Sequence, residues 1–158
     1  MLKNLCTLFI LLISLFTTQL YCQEYIFVEK LYSNGLLKEK YQGVVNVKDT
    51  IRQGKYYFYY ENGRLMQEGF FADGKADSIW INYFPSSARK SLFNYKYGNK
   101  SGGFVFWNSD GTLYQNGFYK NNLLSGIVTT YFSNGMVDTE SEYKDGRLNG
   151  ISKVFSDK

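Results

Sequence analysis

The sequence predicts an all-β protein: tandem β-hairpin repeats of about 24 residues that form one elongated, twisted antiparallel sheet. Three observations predict this class. Aromatic residues recur in columns 24 residues apart, turn signals such as Asn-Gly and Asp-Gly separate short apolar runs, and no segment shows sustained helical periodicity. Because one hairpin is only marginally stable in water, we expect successive hairpins to pack side by side.

The clearest copy of the repeat runs from Gly54 to Ser78. An aromatic run at 56–60 meets the turn signal Asn62-Gly63, and a second apolar run at 65–71 meets the turn signal Asp73-Gly74. This order predicts strand, turn, strand, turn. We expect Tyr59 to face Leu65 across a three-residue loop, with Gly63 at positive φ, because that loop places both apolar positions on one face.

Repeat columns predict the structural core and the turns. The first-strand column is Tyr59, Tyr83, Trp107, Tyr131 and Phe155, and the second-strand column is Phe71, Tyr95, Tyr119 and Tyr143. The turn glycines are Gly63, Gly111 and Gly135 in the first turn, and Gly74, Gly98 and Gly146 in the second. The first-strand column is the expected spine, so Trp107→Ala should loosen the middle of the array.

The amino terminus has the pattern of a secretory signal peptide over residues 1–22. A short basic start precedes an apolar run at 5–16 and a more polar tail ending at Cys22. The run is short for a membrane span, so no span is expected after cleavage. An uncleaved anchor and a lipid-modified Cys22 are the alternatives. The repeat domain is assigned to residues 23–158, and the protein is expected to be exported to the periplasm, the medium or the cell surface.

Composition argues against most catalytic chemistry. The chain has no histidine, and both cysteines, Cys6 and Cys22, fall in the predicted signal peptide. Histidine-based catalysis, thiol nucleophiles and thiolate metal sites are therefore excluded from the mature chain. We expect no catalytic residues, cofactor or metal. The net charge of +4 is interspersed along the chain, which is typical of a solvated surface and not of a nucleic-acid footprint.

The remaining segments follow in order. Residues 23–28 predict a lead-in strand, 31–53 a first unit with about four extra residues, and 151–158 a final single strand. The unit at 78–101 departs from the pattern, because Pro85 to Arg89 replaces the Asn-Gly turn, and this loop is expected to use a different geometry. The departure is either drift or a partner contact.

The units resemble the variant of the MORN (membrane occupation and recognition nexus) repeat found in bacterial antitoxin-like proteins. The best copies are residues 54–65 and 126–135, and residues 143–150 match the second half of the unit. The resemblance implies hairpins that form one elongated sheet, often curved into a groove. It also implies scaffolding and binding roles, some linked to membranes or to toxin neutralisation. A neutraliser of a cytosolic toxin needs no export signal, and residues 1–22 depart from that role.

Candidate binding residues lie on the face opposite Tyr59. Tyr56, Trp80 and Phe104 share one column there, and the altered loop adds Pro85 and Arg89. Either the sheet curls and shields both faces, or these rings form an exposed stripe that stacks on sugars or peptide side chains. The sequence favours a non-enzymatic exported module that binds a protein or an envelope component. A glycan- or cell-wall-binding module is the alternative, and an antitoxin-like protein is a third.

Overall fold

A computed structural model describes residues 24–45 and 49–158, and the predicted signal peptide lies outside them. The predicted fold class is confirmed: the described chain forms one open antiparallel sheet of 13 strands. A helix of the length and hydrophobicity needed to cross a membrane is absent from the described residues. The strands are β1 (Tyr25–Leu31), β2 (Leu37–Val45), β3 (Thr50–Tyr59), β4 (Leu65–Ala72), β5 (Lys75–Tyr83), β6 (Arg89–Lys96), β7 (Asn99–Trp107), β8 (Leu113–Lys120), β9 (Leu123–Leu124), β10 (Gly126–Tyr131), β11 (Val137–Lys144), β12 (Arg147–Leu148) and β13 (Lys153–Val154).

Strand order in space follows strand order in the chain. The sheet runs from β1 through β8 to β10, β11 and β12, while β9 pairs with β8 and β13 pairs with β11. Each strand therefore contacts mainly its neighbours in sequence, as expected for stacked repeats. β1 forms one edge of the sheet, and the short strands after β11 form the other.

The three-residue first loop is confirmed. Tyr59 pairs with Leu65, and the Tyr60 N–H donates to the Arg64 carbonyl at 2.8 Å. Gly63 has φ +80°, where a side chain would be strained. The Asn62 side chain accepts a hydrogen bond from the Arg64 N–H at 3.0 Å, which explains the Asn-Gly signal.

The altered loop at 85–87 has this same geometry, so the expected difference was wrong. The Phe84 N–H donates to the Ala88 carbonyl at 2.8 Å, and Ser87 takes the glycine position with φ +75°. Ser86 replaces the asparagine, since its hydroxyl accepts from the Ala88 N–H at 3.4 Å. The loop therefore keeps its shape at the cost of a non-glycine residue in the left-handed region.

The second turn of each unit also forms a hydrogen bond that links neighbouring units. Asp73 and Gly74 both have positive φ, as a two-residue hairpin turn requires. The Gly74 N–H donates 2.9 Å to the Arg52 carbonyl of the preceding hairpin. The same bond recurs from Gly98 to Ala76, from Asn122 to Lys100 and from Gly146 to Leu124. Each hairpin thus fixes the position of the next.

A one-residue bulge in each hairpin decides which side chains share a face. In the β3–β4 pair, Tyr59 opposes Leu65 but Phe58 opposes Gln67, so one extra residue follows Leu65. The alternation of side chains beyond the bulge is reversed. As a result, Phe71 lies on the same face as Tyr56, and Phe70 lies on the same face as Tyr59.

The face that carries Tyr56, here called the aromatic face, holds the core. Its most buried large side chains are Tyr41, Tyr56, Trp80 and Phe104. Ring centroids lie 5.5 Å apart for Tyr56 and Trp80, and 4.9 Å apart for Phe104 and Tyr119. Edge and tilted contacts at these distances add about 0.5–1.5 kcal/mol per pair beyond burial. Aromatic packing within one layer therefore supplies the core.

Two glycines let the largest rings lie flat on the aromatic face. A Cβ at Gly69 would stand 2.3 Å from the Trp80 ring, and a Cβ at Gly117 would stand 2.8 Å from the Phe104 ring. Neither glycine has positive φ, so the requirement is for space rather than backbone conformation. The Trp80 indole N–H donates to the Phe70 carbonyl at 3.2 Å, which satisfies its buried polar atom.

The expected core columns need correction. Tyr59, Tyr83, Trp107 and Tyr131 are only half-buried and lie beside the first loops, on the face opposite the aromatic face, while Phe155 is exposed. These side chains lie at the ends of their strands, where less of the sheet covers them than covers the positions in the middle. The second-strand column of Phe71, Tyr95, Tyr119 and Tyr143 is half-buried too, but it lies on the aromatic face.

Candidate functional site on the second face

The structure contradicts the binding role predicted for Tyr56, Trp80 and Phe104. These side chains are buried, with Phe104 only 2% exposed, so they cannot form an exposed stripe. They occupy the middle of their strands, where rings on both sides cover them. Their column holds the sheet together.

Pro85 and Arg89 are exposed but lie apart from that column. Pro85 is at the tip of the first loop of its unit, where its carbonyl accepts a 2.7 Å hydrogen bond from Arg64 Nη1. Arg89 opens β6 and pairs with Tyr83 in the register. The loop therefore contacts the preceding hairpin, and the structure does not bring it together with Tyr56, Trp80 or Phe104.

The face opposite the aromatic face, here called the second face, carries an apolar groove across β1 to β5. Two adjoining concavities of about 350 and 330 Å³ share Lys55, Tyr57 and Phe70 as lining residues. Phe27 lines the β1 end, and Ile79 and Ile81 line the β5 end. We call this set the apolar groove: Phe27, Lys40, Lys55, Tyr57, Phe70, Ile79 and Ile81.

Cross-strand register places the groove residues on one face. Lys40 pairs with Tyr57, Tyr57 with Glu68, and Glu68 with Ile81. Gly54 adds no side chain to the lining and has φ +92°, a conformation that favours glycine. The groove follows from the repeat geometry, since every second-face position alternates with a core position.

Several apolar groups of this face are exposed to solvent. Phe27 is 75% exposed, and Phe70 and Ile79 are exposed as well. Phe118 and Ile127 are also exposed on this face, but they lie outside the groove, nearer the carboxy terminus. A run of exposed apolar side chains across neighbouring strands marks an interaction surface more often than a solvated one.

Charged groups surround the groove. The Lys40 ammonium forms an ion pair with Glu29 Oε1 at 2.8 Å, and the Tyr83 hydroxyl donates a hydrogen bond to Glu68 Oε1 at 2.5 Å. Burial, followed by the hydrogen bond to Glu68, raises the pKa of Tyr83 to about 12. Tyr83 therefore stays neutral at physiological pH and acts as a hydrogen-bond donor.

The aromatic face contains its own charged cluster. Glu39 is buried and accepts hydrogen bonds from Lys30 and Arg52, each at 2.8 Å. Burial alone would raise the pKa of Glu39, but the bonds from Lys30 and Arg52 outweigh burial and hold the pKa below its usual value. The Arg52 guanidinium stacks 4.9 Å from the Tyr41 ring centroid. This cluster stabilises the β1–β3 end of the core.

Within the described residues, no group of three or more acidic, histidine or cysteine side chains could hold a metal ion. The groove combines rings and aliphatic side chains with Lys55, which lines both concavities, and with Lys40 and Glu68, whose charges have partners in Glu29 and Tyr83. Its rings and aliphatic side chains suit contact with apolar groups.

Two segments of the chain match a protein-family model. Residues 52–73 and 124–145 match the model of the MORN repeat variant. The first segment begins within β3 and ends in the turn after β4, and the second covers β10 and β11 with their loops. Repeats of this kind are generally protein- or membrane-binding modules and are typically non-catalytic. No curated protein matches the chain.

Sequence reasoning missed most of the groove. Phe70 and Phe118 occupy one repeat column, and the bulge after Leu65 turns this column to the face of Tyr59, which periodicity alone does not show. Phe27 lies in the lead-in strand, outside the best-aligned repeat columns. Counting one extra residue per hairpin would have assigned the faces correctly.

Proposed function

We propose that this protein is a non-enzymatic, exported repeat module that binds another protein through the apolar groove. The observation that carries the proposal is the exposed apolar lining, in which Phe27 on β1, Phe70 on β4 and Ile79 on β5 face solvent along one groove. The two segments that match the MORN repeat variant support a binding role, since such repeats are generally binding modules.

The chemistry of the groove favours an apolar protein segment over a glycan. Sugar sites combine aromatic rings with polar groups that orient the hydroxyls. Here Ile79 and Ile81 form one end of the lining, and the charged side chains Lys40 and Glu68 already have partners in Glu29 and Tyr83. Aliphatic and aromatic side chains of a partner would fill this lining at the smallest cost in unsatisfied polar groups.

Export is part of the proposal and rests on the sequence of residues 1–22. If the segment is a cleaved signal peptide, intact mass spectrometry of protein recovered from the envelope or medium should show a chain that lacks residues 1–22. Recovery of the intact chain from the cytosol would contradict export and would favour the antitoxin-like alternative.

The binding test compares two isoleucines of similar exposure. Ile79 lines the groove and Ile127 lies outside it, and both are about half exposed. A carboxy-terminally tagged chain, purified from its own envelope and medium, should retain a stoichiometric protein partner. The Ile79→Lys variant should lose that partner, while the Ile127→Lys variant should keep it.

Two outcomes would contradict this proposal. If Ile79→Lys retains the same partner as the unmodified chain, the groove is not the binding surface. If the chain is retained by peptidoglycan or polysaccharide and recovers no protein, the glycan-binding alternative replaces it. Circular dichroism of both variants verifies that each remains folded.

A further inference from the structure

We propose that the β1 edge pairs with the β1 edge of a second copy of this chain, which joins two sheets into one antiparallel sheet about a two-fold axis at Phe27. The inference concerns association through the backbone edge of β1 and not partner capture by the groove, although Phe27 belongs to both surfaces. It rests on the backbone of β1, on its side-chain sequence and on the ion pairs that hold its charged residues.

The outer edge of β1 is open within the described part of the chain. β1 spans seven residues and pairs only with β2. The Val45 N–H donates to the Glu24 carbonyl at 3.2 Å, so Glu24 directs its backbone towards β2. In an antiparallel pair, every second residue directs its N–H and C=O groups at the partner strand. The backbone groups of Ile26, Val28 and Lys30 therefore point towards β2, and those of Tyr25, Phe27 and Glu29 point outwards.

The opposite end of the sheet is protected differently. The outer edge of β11 is covered by the short strands β12 and β13, which pair Tyr143 with Leu148 and Thr139 with Val154. Short, interrupted edge strands are a common protection against edge-to-edge association. β1 has no such cover among the described residues, and its sequence from Tyr25 to Val28 consists of residues that favour strands.

Charged residues in β1 would normally prevent pairing, but they are neutralised within the sheet. Glu29 pairs with Lys40 and Lys30 pairs with Glu39, each at 2.8 Å. Lys30 keeps about half of its side chain exposed, at 52%, and can contact a second acidic group. The charges of Glu29 and Lys30 are therefore compensated within the sheet, and the second copy's Lys30 would supply a partner for Glu24.

The β1 sequence is self-complementary about Phe27. In this register Phe27 opposes Phe27 of the second copy, Ile26 opposes Val28, and Glu24 opposes Lys30. Tyr25 opposes Glu29, whose carboxylate stays paired with Lys40. Aromatic, aliphatic and opposite-charge pairs each stabilise an antiparallel ladder. A register centred on Val28 would instead set Phe27 against Glu29 and Ile26 against Lys30. Charge and apolar matching thus favour the axis at Phe27, and a second copy provides this complement without further assumption.

Light scattering coupled to size-exclusion chromatography tests the association on the full-length chain over a dilution series. The expected mass is twice that of the chain at the higher concentrations. Phe27→Lys should halve it, because two lysines would meet at the axis. Phe118→Lys, at a phenylalanine that is 59% exposed on the same face but far from β1 in the sheet, should leave the mass unchanged.

A mass of one chain at every concentration would overturn the proposal, and so would a dimer that survives Phe27→Lys. After either result, a second copy would no longer be the partner of the β1 edge, and an extended strand of another protein would replace it as the candidate.

Cysteine cross-linking tests the register. In a full-length chain with Cys6→Ser and Cys22→Ser, Phe27→Cys should form a disulfide-linked dimer on oxidation, since paired Cα atoms in a ladder lie within disulfide reach. Val28→Cys should not. Cross-linking at Val28 instead of Phe27 would overturn the proposed axis, and cross-linking at neither position would overturn the interface.

Discussion

The two faces of this sheet are made from the same repeats but carry different side-chain environments. On the aromatic face, neighbouring rings bury Trp80 and Phe104. Gly69 and Gly117 leave room for these two rings to lie against the sheet. On the second face, Phe70 and Phe118 are exposed although they occur at the same period. A single sheet with no second layer among the described residues can therefore form its core on one face and leave the other face free for binding.

Among substitutions that add a side chain, we expect the largest loss of stability where a glycine of the aromatic face is replaced. Gly69→Ala forces a Cβ against the Trp80 ring, at a distance of 2.3 Å in the present geometry. Overpacking of this kind costs about 1–3 kcal/mol, and we expect the upper end because the ring is held by Tyr56 and Phe71. Urea denaturation measures the loss.

Gly103→Ala is the matched control for this substitution. Gly103 does not have positive φ, and a Cβ there would make only ordinary contacts at 3.8 Å or more. The urea midpoint of the Gly103→Ala variant should stay close to the midpoint of the unmodified chain. Equal losses for the two variants would show that Gly69 is required for a reason other than the Trp80 ring.

An intermediate effect is expected at the charged cluster of the aromatic face. Glu39→Gln weakens the hydrogen bonds from Lys30 and Arg52 and should destabilise the chain by about 1–3 kcal/mol. Glu140→Gln, at a solvent-exposed pair with a 3.4 Å separation, should change the free energy of unfolding by less than about 1 kcal/mol.

The pH dependence of stability provides a second measurement on the same residue. The pKa of Glu39 is lower in the folded chain than its ordinary value of 4.5, so the unfolded chain takes up the proton first as pH falls. The stabilisation is complete above pH 4.5 and is lost as pH falls through the lowered folded value. Glu39→Gln should lose less stability than the unmodified chain over this acid range, and an identical acid profile would contradict the assignment.

The smallest effect is expected at the loop margin of the second face. Ser87 occupies the left-handed region that glycine fills in the other first loops. Ser87→Gly should therefore raise the free energy of unfolding by about 0.5–1 kcal/mol, since relief of backbone strain exceeds the added flexibility of the unfolded chain. A fall in thermal midpoint would mean that the serine hydroxyl stabilises the loop.

Much of the fold was predictable because it depends on local chemistry. The period, the hairpins and the pairing of Tyr59 with Leu65 follow from Asn-Gly and Asp-Gly turns that recur at fixed spacing. The loop at 85–87 keeps the common geometry although it lacks Asn-Gly, because Ser86 and Ser87 take those two positions and Arg64 of the preceding hairpin donates to the Pro85 carbonyl. Tertiary context outweighed the missing turn residues.

The candidate site was less predictable, since it depends on a bulge. One extra residue after Leu65 reverses the faces of the second strand, which separates Phe71 from Tyr59 and joins it to Tyr56. Periodicity ranked the Tyr59 column as the core because it is aromatic in five units. Burial follows position within the strand, and that column lies at the loop margin, where Trp107 is only half-buried.

The most direct test of this account compares Phe104→Ala with Phe118→Ala in urea denaturation. The two phenylalanines lie on adjacent strands and opposite faces, one 2% and the other 59% exposed. We expect Phe104→Ala to lose about 3–5 kcal/mol of the free energy of unfolding. We expect Phe118→Ala to lose less than about 1 kcal/mol, as an exposed side chain should. Similar losses for both, or a larger loss at Phe118, would contradict the division into a core face and a binding face.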